Sequence, residues 1–356
     1  MVLADLGLFH WTLAVALLPL PTQIVKKILV TGGAGYKGTV LVPKMLQAGY
    51  EVVVYDLLLF GNFLPQHPKL AVVEADLRDT AKYAESVKGC DAVIHMGCIS
   101  NDPSFELDSG LSKSMNYDCF EPLVIASKQA GVKRFINVSS SSVYGVSDAP
   151  EVTEEHPLLP LTEYNKYKGL CEPLLWKHQS PDFVCVTIRP ATVCGYSPRM
   201  RFDLTVNILT NHAYHKGIIT VFGGTQKRPN IHIEDVTDLY IELLKYPAAK
   251  IAGETFNAGY ENFTVAQLAD FVKKIVEEEF PAKAPIGITT TPSDDNRSYH
   301  VSSKKIAEKL GWKPRRSIED AVRDLCRAFK ENKFKSNTLT DQTYFNVKAV
   351  KSIGLK

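Results

Sequence analysis

The segment Lys26–Gly38 reads "KKILVTGGAGYKG", a short apolar run followed by three glycines spaced G-x-x-G-x-x-G. A glycine triplet alone is weak evidence, because turns use glycine for many reasons. Its surroundings strengthen it. "KILVT" suits a buried strand, Gly32, Gly35 and Gly38 occupy the turn and the first helical turn, and a helical pattern continues to Gly49. Glycine lets the backbone approach a pyrophosphate, while free N–H groups and the helix dipole favour its negative charge. A second strand, "EVVVYD", ends at Asp56, eighteen residues past Gly38. A carboxylate there accepts hydrogen bonds from both adenosine ribose hydroxyls and repels a 2′-phosphate. No arginine follows in "DLLLFGN", so the expected cofactor is NAD rather than NADP. Lys37 stands where such loops normally carry an apolar residue. It can lie beside the phosphates or point to solvent, and solvent is the expected orientation.

Outward from this loop, "LAVVEAD", "DAVIHM" and "RFINVS" are further apolar runs separated by amphipathic segments. Runs apolar on both faces, with helical pattern between them, mark a parallel sheet covered on both sides. Gly49 and Gly131 fall where helices should stop. "FVCVTIRP" and "ETFNAG" supply a sixth and a seventh strand, which makes a doubly wound α/β fold. The rest is less regular. A helical stretch near Leu204–His215 precedes "IITVFGG", and "TVAQLADFVKKIVEEEF" is an amphipathic helix. "SSKKIAEKLG" and "SIEDAVRDLCRAFKENK" each begin with serine at a cap position, the second matching a capping box apart from its Asp. The expected division is residues 1–25 as an extension, 26–190 with about 231–259 as a cofactor-binding domain, about 191–230 with 260–332 as a smaller α/β substrate domain, and 333–356 as a tail. Tyr344 and Phe345 point to a tail docked on the body.

The chain has 356 residues, 45% apolar and 22% charged, with a formal net charge of +2. No basic block stands out, so neither nucleic acid nor an anionic membrane is the expected partner. Seven scattered cysteines form no C-x-x-C pair, and no metal site is expected from them or from His212 and His215. "LGLFHWTLAVALLPL" near the start lacks a preceding Lys or Arg and a cleavage motif. It is also shorter than the about 20 residues of a membrane-spanning helix. A dispensable extension and a cytoplasmic location are therefore expected.

The chemistry is concentrated in "EYNKYKG", where Tyr164 and Lys168 stand four residues apart and share one helix face. A phenol is a poor base at its reference pKa of about 10. A neighbouring ammonium and a cationic nicotinamide ring favour the phenolate, which can then take a proton as hydride leaves the same carbon. Upstream, "VSSSSVYG" ends the fifth strand, and a hydroxyl there can hold the reacting oxygen in place.

"TGGAGYKG", "SSSSVYG", "YNKYK", "IRPATVCG", "RPNIHIEDV" and "DDNRSYHVS" follow one another in the order seen in extended short-chain dehydrogenases/reductases. More narrowly the chain resembles the nucleotide-sugar epimerases and dehydratases, across about residues 26–332. The resemblance implies a Rossmann sheet with a second, smaller α/β domain, NAD as cofactor and a nucleotide-diphosphate sugar as substrate. It implies that Tyr164 is the acid/base and that Lys168 binds the nicotinamide ribose and tunes Tyr164. Ser140 matches the catalytic Ser/Thr, and Ser142 a second hydroxyl. Tyr36, Lys37 and Leu57 accompany the glycine loop and Asp56 against the cofactor. Asp76 and Leu77 match an adenine-contacting pair, Met96, Gly97 and Cys98 a segment passing the cofactor, and Pro190 and Val193 the nicotinamide wall. Arg228 and Arg297 match residues that pair with a substrate diphosphate, with Asn207, Arg199 and Arg201 nearby.

There are departures. "HMGCIS" carries Met96 and Cys98 where the family usually has small alanines, and Ser141 and Ser142 replace the acidic residues of 4,6-dehydratases. Dehydration is thereby disfavoured. An NAD-dependent 4-epimerase is the leading expectation, and a 4-oxidoreductase of the kind acting on GDP-heptoses is the alternative, prompted by "SPRMRFDLTVN". A cofactor-binding regulator that has lost its chemistry is disfavoured, since Tyr164 and Lys168 are both present. The resemblance also implies a homodimer formed through about residues 111–130 and 164–177.

Overall fold

A computed structural model describes residues 25–100, 109–147, 149–292 and 300–354. The expected N-terminal extension, apart from its last residue, lies outside the described residues. Seven strands form one sheet: β1 (Lys27–Thr31), β2 (Glu51–Asp56), β3 (Leu70–Glu74), β4 (Ala92–His95), β5 (Arg134–Val138), β6 (Val184–Pro190) and β7 (Glu254–Ala258). Their order is β7-β6-β5-β4-β1-β2-β3, and every neighbouring pair is parallel.

Successive residues of each inner strand feed opposite layers of core, as the two-residue period of a strand requires. Ile28, Val30, Val52 and Val54 join one apolar layer, whereas Leu29, Val53 and Tyr55 join the other. This explains why the strands read as continuous apolar runs. The helix α1 (Gly38–Gln47) ends just before Gly49, whose φ is +90°, and α2 (Phe120–Gln129) before Gly131, whose φ is +83°. Both turns need the left-handed conformation that glycine adopts at little cost. Strand order reverses between β1 and β4, so the loops leaving their carboxyl ends diverge and open a crevice.

The remaining strands are short. Thr192–Cys194, Lys227–His232 and Asn262–Thr264 make a three-stranded sheet, and Ile218–Phe222 pairs in parallel with Gly287–Thr291. A separate core, including Val206, Leu268, Val272 and Val322, joins the helices Thr205–Lys216, Val265–Glu279 and Ile318–Lys330. Ser317 closes a capping box with Asp320. Ser303 does not cap with its side chain; its hydroxyl is spent on the backbone of Gly259. The helix that follows, Lys304–Leu310, packs against β7 and carries Ile306 and Leu310 into the core of the large sheet. The tail docks, as its aromatic residues imply: Tyr344 meets Phe202 edge-on at 5.4 Å, and a last helix follows over Asn346–Ile353. Among the described residues no helix is long and apolar enough to cross a membrane.

A buried ion pair ties the carboxyl edge of this sheet to the helix α3 (Glu163–Trp176). Arg189 on β6 donates from Nε and Nη2 to both oxygens of Glu172 on α3, at 3.0 and 2.6 Å, with the two side chains 3% and 0% exposed. Ser139, just past β5, donates to the same carboxylate at 2.7 Å. Arg189 also donates to the Tyr144 hydroxyl at 2.6 Å, and that hydroxyl donates to Asn257 of β7 at 2.8 Å. Burial works against the guanidinium, but Glu172 outweighs it and raises its pKa.

Breaking such a pair leaves an uncompensated buried charge, which costs about 3–5 kcal/mol. We expect Glu172→Ala to lower the unfolding free energy by that amount in urea titrations. The double variant Glu172→Met/Arg189→Met should cost less than the single one. A single-variant loss near zero would show that the pair contributes nothing to stability.

Candidate active site

One cleft along the carboxyl edge of the sheet gathers most of the residues singled out in the sequence. Its floor is the turn after β1. Gly32 has φ +68°, and a Cβ there would stand 2.8 Å from the Cα of Gly97, so neither strand end can carry a side chain toward the other. At Gly38 a Cβ would meet the Gly33 carbonyl oxygen at 2.2 Å; this glycine sits behind the cleft and permits close packing of helix on loop. Gly35 lines the cleft itself. Asp56, at the end of β2, accepts from the Ala34 N–H at 3.0 Å and the Leu58 N–H at 2.9 Å. Burial raises its pKa, opposed by these N–H groups and by Arg199. Leu57, Leu77, Met96, Gly97 and Cys98 continue the wall at this end.

Lys37 corrects the expectation that it faces solvent. Its side chain turns into the cleft, and burial lowers its pKa to about 8, with Lys168 and Arg201 acting in the same direction and Cys98 opposing. Because α1 must pack on the sheet, the register of the glycine loop points this position inward. Tyr36 lines the cleft too, but its hydroxyl is spent on the Gly195 carbonyl at 2.7 Å, and burial raises its pKa.

At the other end lie Ser140, Ser142, Tyr164, Lys168, Pro190 and Val193. Ser140 stands two residues past the end of β5, so strand pairing sets its height above the sheet. Thr162 caps α3 by accepting from the Asn165 N–H at 3.3 Å, which places Tyr164 in the first turn and Lys168 one turn later. The Lys168 ammonium is buried and donates to the Val138 carbonyl at 3.0 Å, anchoring it at the end of β5. Ser142 donates to the side-chain oxygen of Asn165, and its own oxygen lies 2.7 Å from that of Ser140. With the Ser142 proton committed to Asn165, Ser140 is the donor between the two serines. Asn165 is a positioning residue that sequence reading passed over, although it stands beside Tyr164 in the same motif.

Arg199 and Arg201 cover the cleft from the segment after the short strand Thr192–Cys194. Arg201 pairs with Asp203 at 2.9 Å, and its charge also acts on Tyr164. Four cations (Lys37, Lys168, Arg199 and Arg201) and one carboxylate, Asp56, therefore line the cleft among the described residues. That balance favours anionic ligands.

Other expected positions fall elsewhere. Asn207 is fully buried behind the cleft, where it accepts from the Gly195 N–H and donates to Tyr36 and to the Arg201 carbonyl. It braces the loop and does not line the cleft. The Asp76 carboxylate is bound by Arg78, and only Leu77 of that pair lines the cleft. Arg228 is buried on the strand Lys227–His232, off the cleft wall. Arg297 lies outside the described residues.

The chain matches the model of the NAD dependent epimerase/dehydratase family over residues 28–259. It belongs to that family, and NAD is its cofactor. It is similar to a UDP-glucose 4-epimerase of Lactobacillus helveticus, 28% identical over 83% of this chain and 94% of the relative. A UDP-glucose 4-epimerase 2 of Arabidopsis thaliana is 27% identical over 88% and 98%. Among solved structures, the UDP-glucose 4-epimerase of Thermotoga maritima with UDP-glucose overlays with a TM-score of 0.76, at 24% identity over 86% of this chain and 99% of that one. The residues fit the cofactor: the glycine turn leaves no room for side chains, Asp56 ends β2, and the buried Arg199 Nε has no partner.

A diphosphate lying beside Lys37 would be attracted by its protonated ammonium. Since its pKa is lowered, that charge is lost as pH rises through about 8, well below the ordinary lysine value. NAD affinity should therefore fall between pH 7 and 9.5 by roughly fivefold, the ~1 kcal/mol of a solvent-screened pair. Isothermal titration with Lys37→Met should show no such slope; an equal slope would assign the pH dependence to another group.

Proposed function

We propose that this chain is an NAD-dependent nucleotide-sugar 4-epimerase. The observation that carries the reading is that Tyr164, Lys168 and Ser140 share one cleft with the glycine turn and with cations suited to diphosphates. The relatives named UDP-glucose 4-epimerase support the same reading.

NAD, when bound along the glycine turn, supplies the reversible uptake of hydride from C4. Tyr164 takes the C4 hydroxyl proton, its phenolate favoured by the cations Lys168 and Arg201. Ser140, donating to Ser142 in the resting cleft, keeps a lone pair for the C4 hydroxyl and can turn its proton to the carbonyl that forms. Lys168, held by the Val138 carbonyl, keeps its charge at a fixed distance from the reacting oxygen. Arg201 faces the same end and suits the sugar nucleotide. The 4-keto sugar turns over in the cleft, and Tyr164 returns the proton after reduction on the other face. Ser141 and Ser142 stand where elimination of water would need an acid and a base. We assign residues of about 191–230 and 260–332 to sugar-nucleotide binding.

Ile125 on α2 and Leu170 and Trp176 on α3 are exposed large apolar side chains, which supports a homodimer through these helices. All seven cysteines are free, which suits a reducing compartment and a place in the cytoplasm.

The decisive assay incubates purified protein with UDP- and GDP-linked hexoses and reads the C4 configuration by NMR. We expect interconversion without added reductant and without a lasting absorbance change at 340 nm. Stoichiometric consumption of cofactor would instead identify an oxidoreductase. Tyr164→Phe should lower turnover about 10²–10⁴-fold, the usual worth of a general acid/base. Leu170→Asp should convert the dimer to a monomer in light scattering; an unchanged mass would place the interface elsewhere.

A further inference from the structure

The C-terminal helix α5 (Asn346–Ile353) ends a tail that is bonded to the helix α4 (Thr205–Lys216). It closes one side of the cleft: Asn346 and Val350 both line it and are only 5% and 6% exposed. Asn346 is a hub. Its side-chain oxygen accepts from the Arg199 guanidinium at 2.5 Å, and its amide nitrogen donates to the Ser100 hydroxyl at 2.9 Å. Its backbone N–H donates to Asp203 at 3.0 Å, and Asp203 in turn holds Arg201. One residue of the tail thus fixes both cleft arginines. The rest of the tail is fastened independently, since Thr338 bonds Asn211 and His215 on α4.

Arg199 is only 3% exposed, lines the cleft, and has a buried Nε with no partner. A buried donor without an acceptor costs about 1–3 kcal/mol, more when it is charged. Its guanidinium stacks on the Phe60 ring at 3.7 Å, so its plane is set before a ligand arrives. The side chain's surroundings identify the ligand. Its backbone N–H meets Thr39 in the first turn of α1 at 3.4 Å, its charge acts on Asp56 and Tyr36, and Phe60 belongs to the loop after β2. All of these lie at the adenosine end of the cleft and along the glycine turn, not at the Tyr164 end.

We propose that Arg199 is a cofactor ligand whose Nε donates to the diphosphate above the glycine turn, and that Asn346 is the positioning residue that aims it. This moves Arg199 from the substrate side, where the family resemblance puts it, to the cofactor side. It also makes the tail a strap that retains NAD. Burial and the neighbouring Arg201 lower the Arg199 pKa to about 9, and the negative charge of an incoming diphosphate opposes that shift. The assignment does not depend on which sugar reaction follows, so it stands or falls apart from the epimerase reading.

The test uses full-length protein, with bound NAD quantified after purification and calorimetric titrations of NAD, ADP, adenosine, UDP and GDP on protein freed of NAD by dialysis. Arg199→Gln and Asn346→Ala should each weaken NAD and ADP about ten- to hundredfold, the worth of one charge-assisted hydrogen bond. Adenosine, which lacks the diphosphate, should bind as before, and so should UDP and GDP. Arg199→Lys, which keeps the charge but not the Nε donor, should fall between. A loss confined to UDP or GDP would assign Arg199 to the substrate and overturn the proposal. Equal losses for adenosine and ADP, or no loss at all, would reduce the strap to a packing element. If Asn346→Ala fails to fold, as a thermal melt would show, the two Arg199 variants decide the ligand.

Discussion

The Glu172–Arg189 pair joins the parts of the protein that the chemistry needs together. Glu172 lies two turns along α3 from the Tyr164 region, and Arg189 immediately precedes Pro190 on the cleft wall. Ser139 adds the end of β5 to the same carboxylate, one residue before Ser140. Three elements distant in sequence therefore share one buried carboxylate. In a low-dielectric interior this arrangement tolerates little displacement, because each lost bond exposes an unpaired charge. The pair is weak evidence of net stability against an apolar core, but it explains how a phenol, an ammonium and a hydroxyl are held in register.

The cleft adds a second constraint, that of charge. Lys37, Lys168, Arg199 and Arg201 face a space with one carboxylate of its own, and Asp203 pairs with Arg201 and also acts on Arg199. Burial pushes Lys37 and Arg199 down in pKa, and repulsion from neighbouring cations adds to it. Anionic ligands offset that repulsion. Arg201 of that set also interacts electrostatically with Tyr164.

Much of this was legible before any coordinates. Strand runs such as "KILVT" and "EVVVYD" coincide with β1 and β2, since a parallel strand covered on both faces leaves an uninterrupted apolar signature. The glycine turn, Asp56, Tyr164 and Lys168 were readable because local backbone geometry and helical spacing dictate their residue types. The orientation of Lys37, and the burial of Asn207 and Arg228 off the cleft wall, were not legible in the sequence, for a common reason. The direction of such a polar side chain is set by tertiary packing, as when Asn207 donates to Tyr36, 171 positions away.

Sequence alone thus determined the doubly wound sheet, the family and the acid/base motif, because these follow from periodicities of two and 3.6 residues and from short-range turn chemistry. Tertiary structure alone decided which cations face the cleft, that Asn165 orients the serine pair, and that Asn346 reaches Arg199 across 147 positions. Those contacts depend on the three-dimensional closure of the chain, where side chains without a local pattern meet only after both cores and the tail have packed.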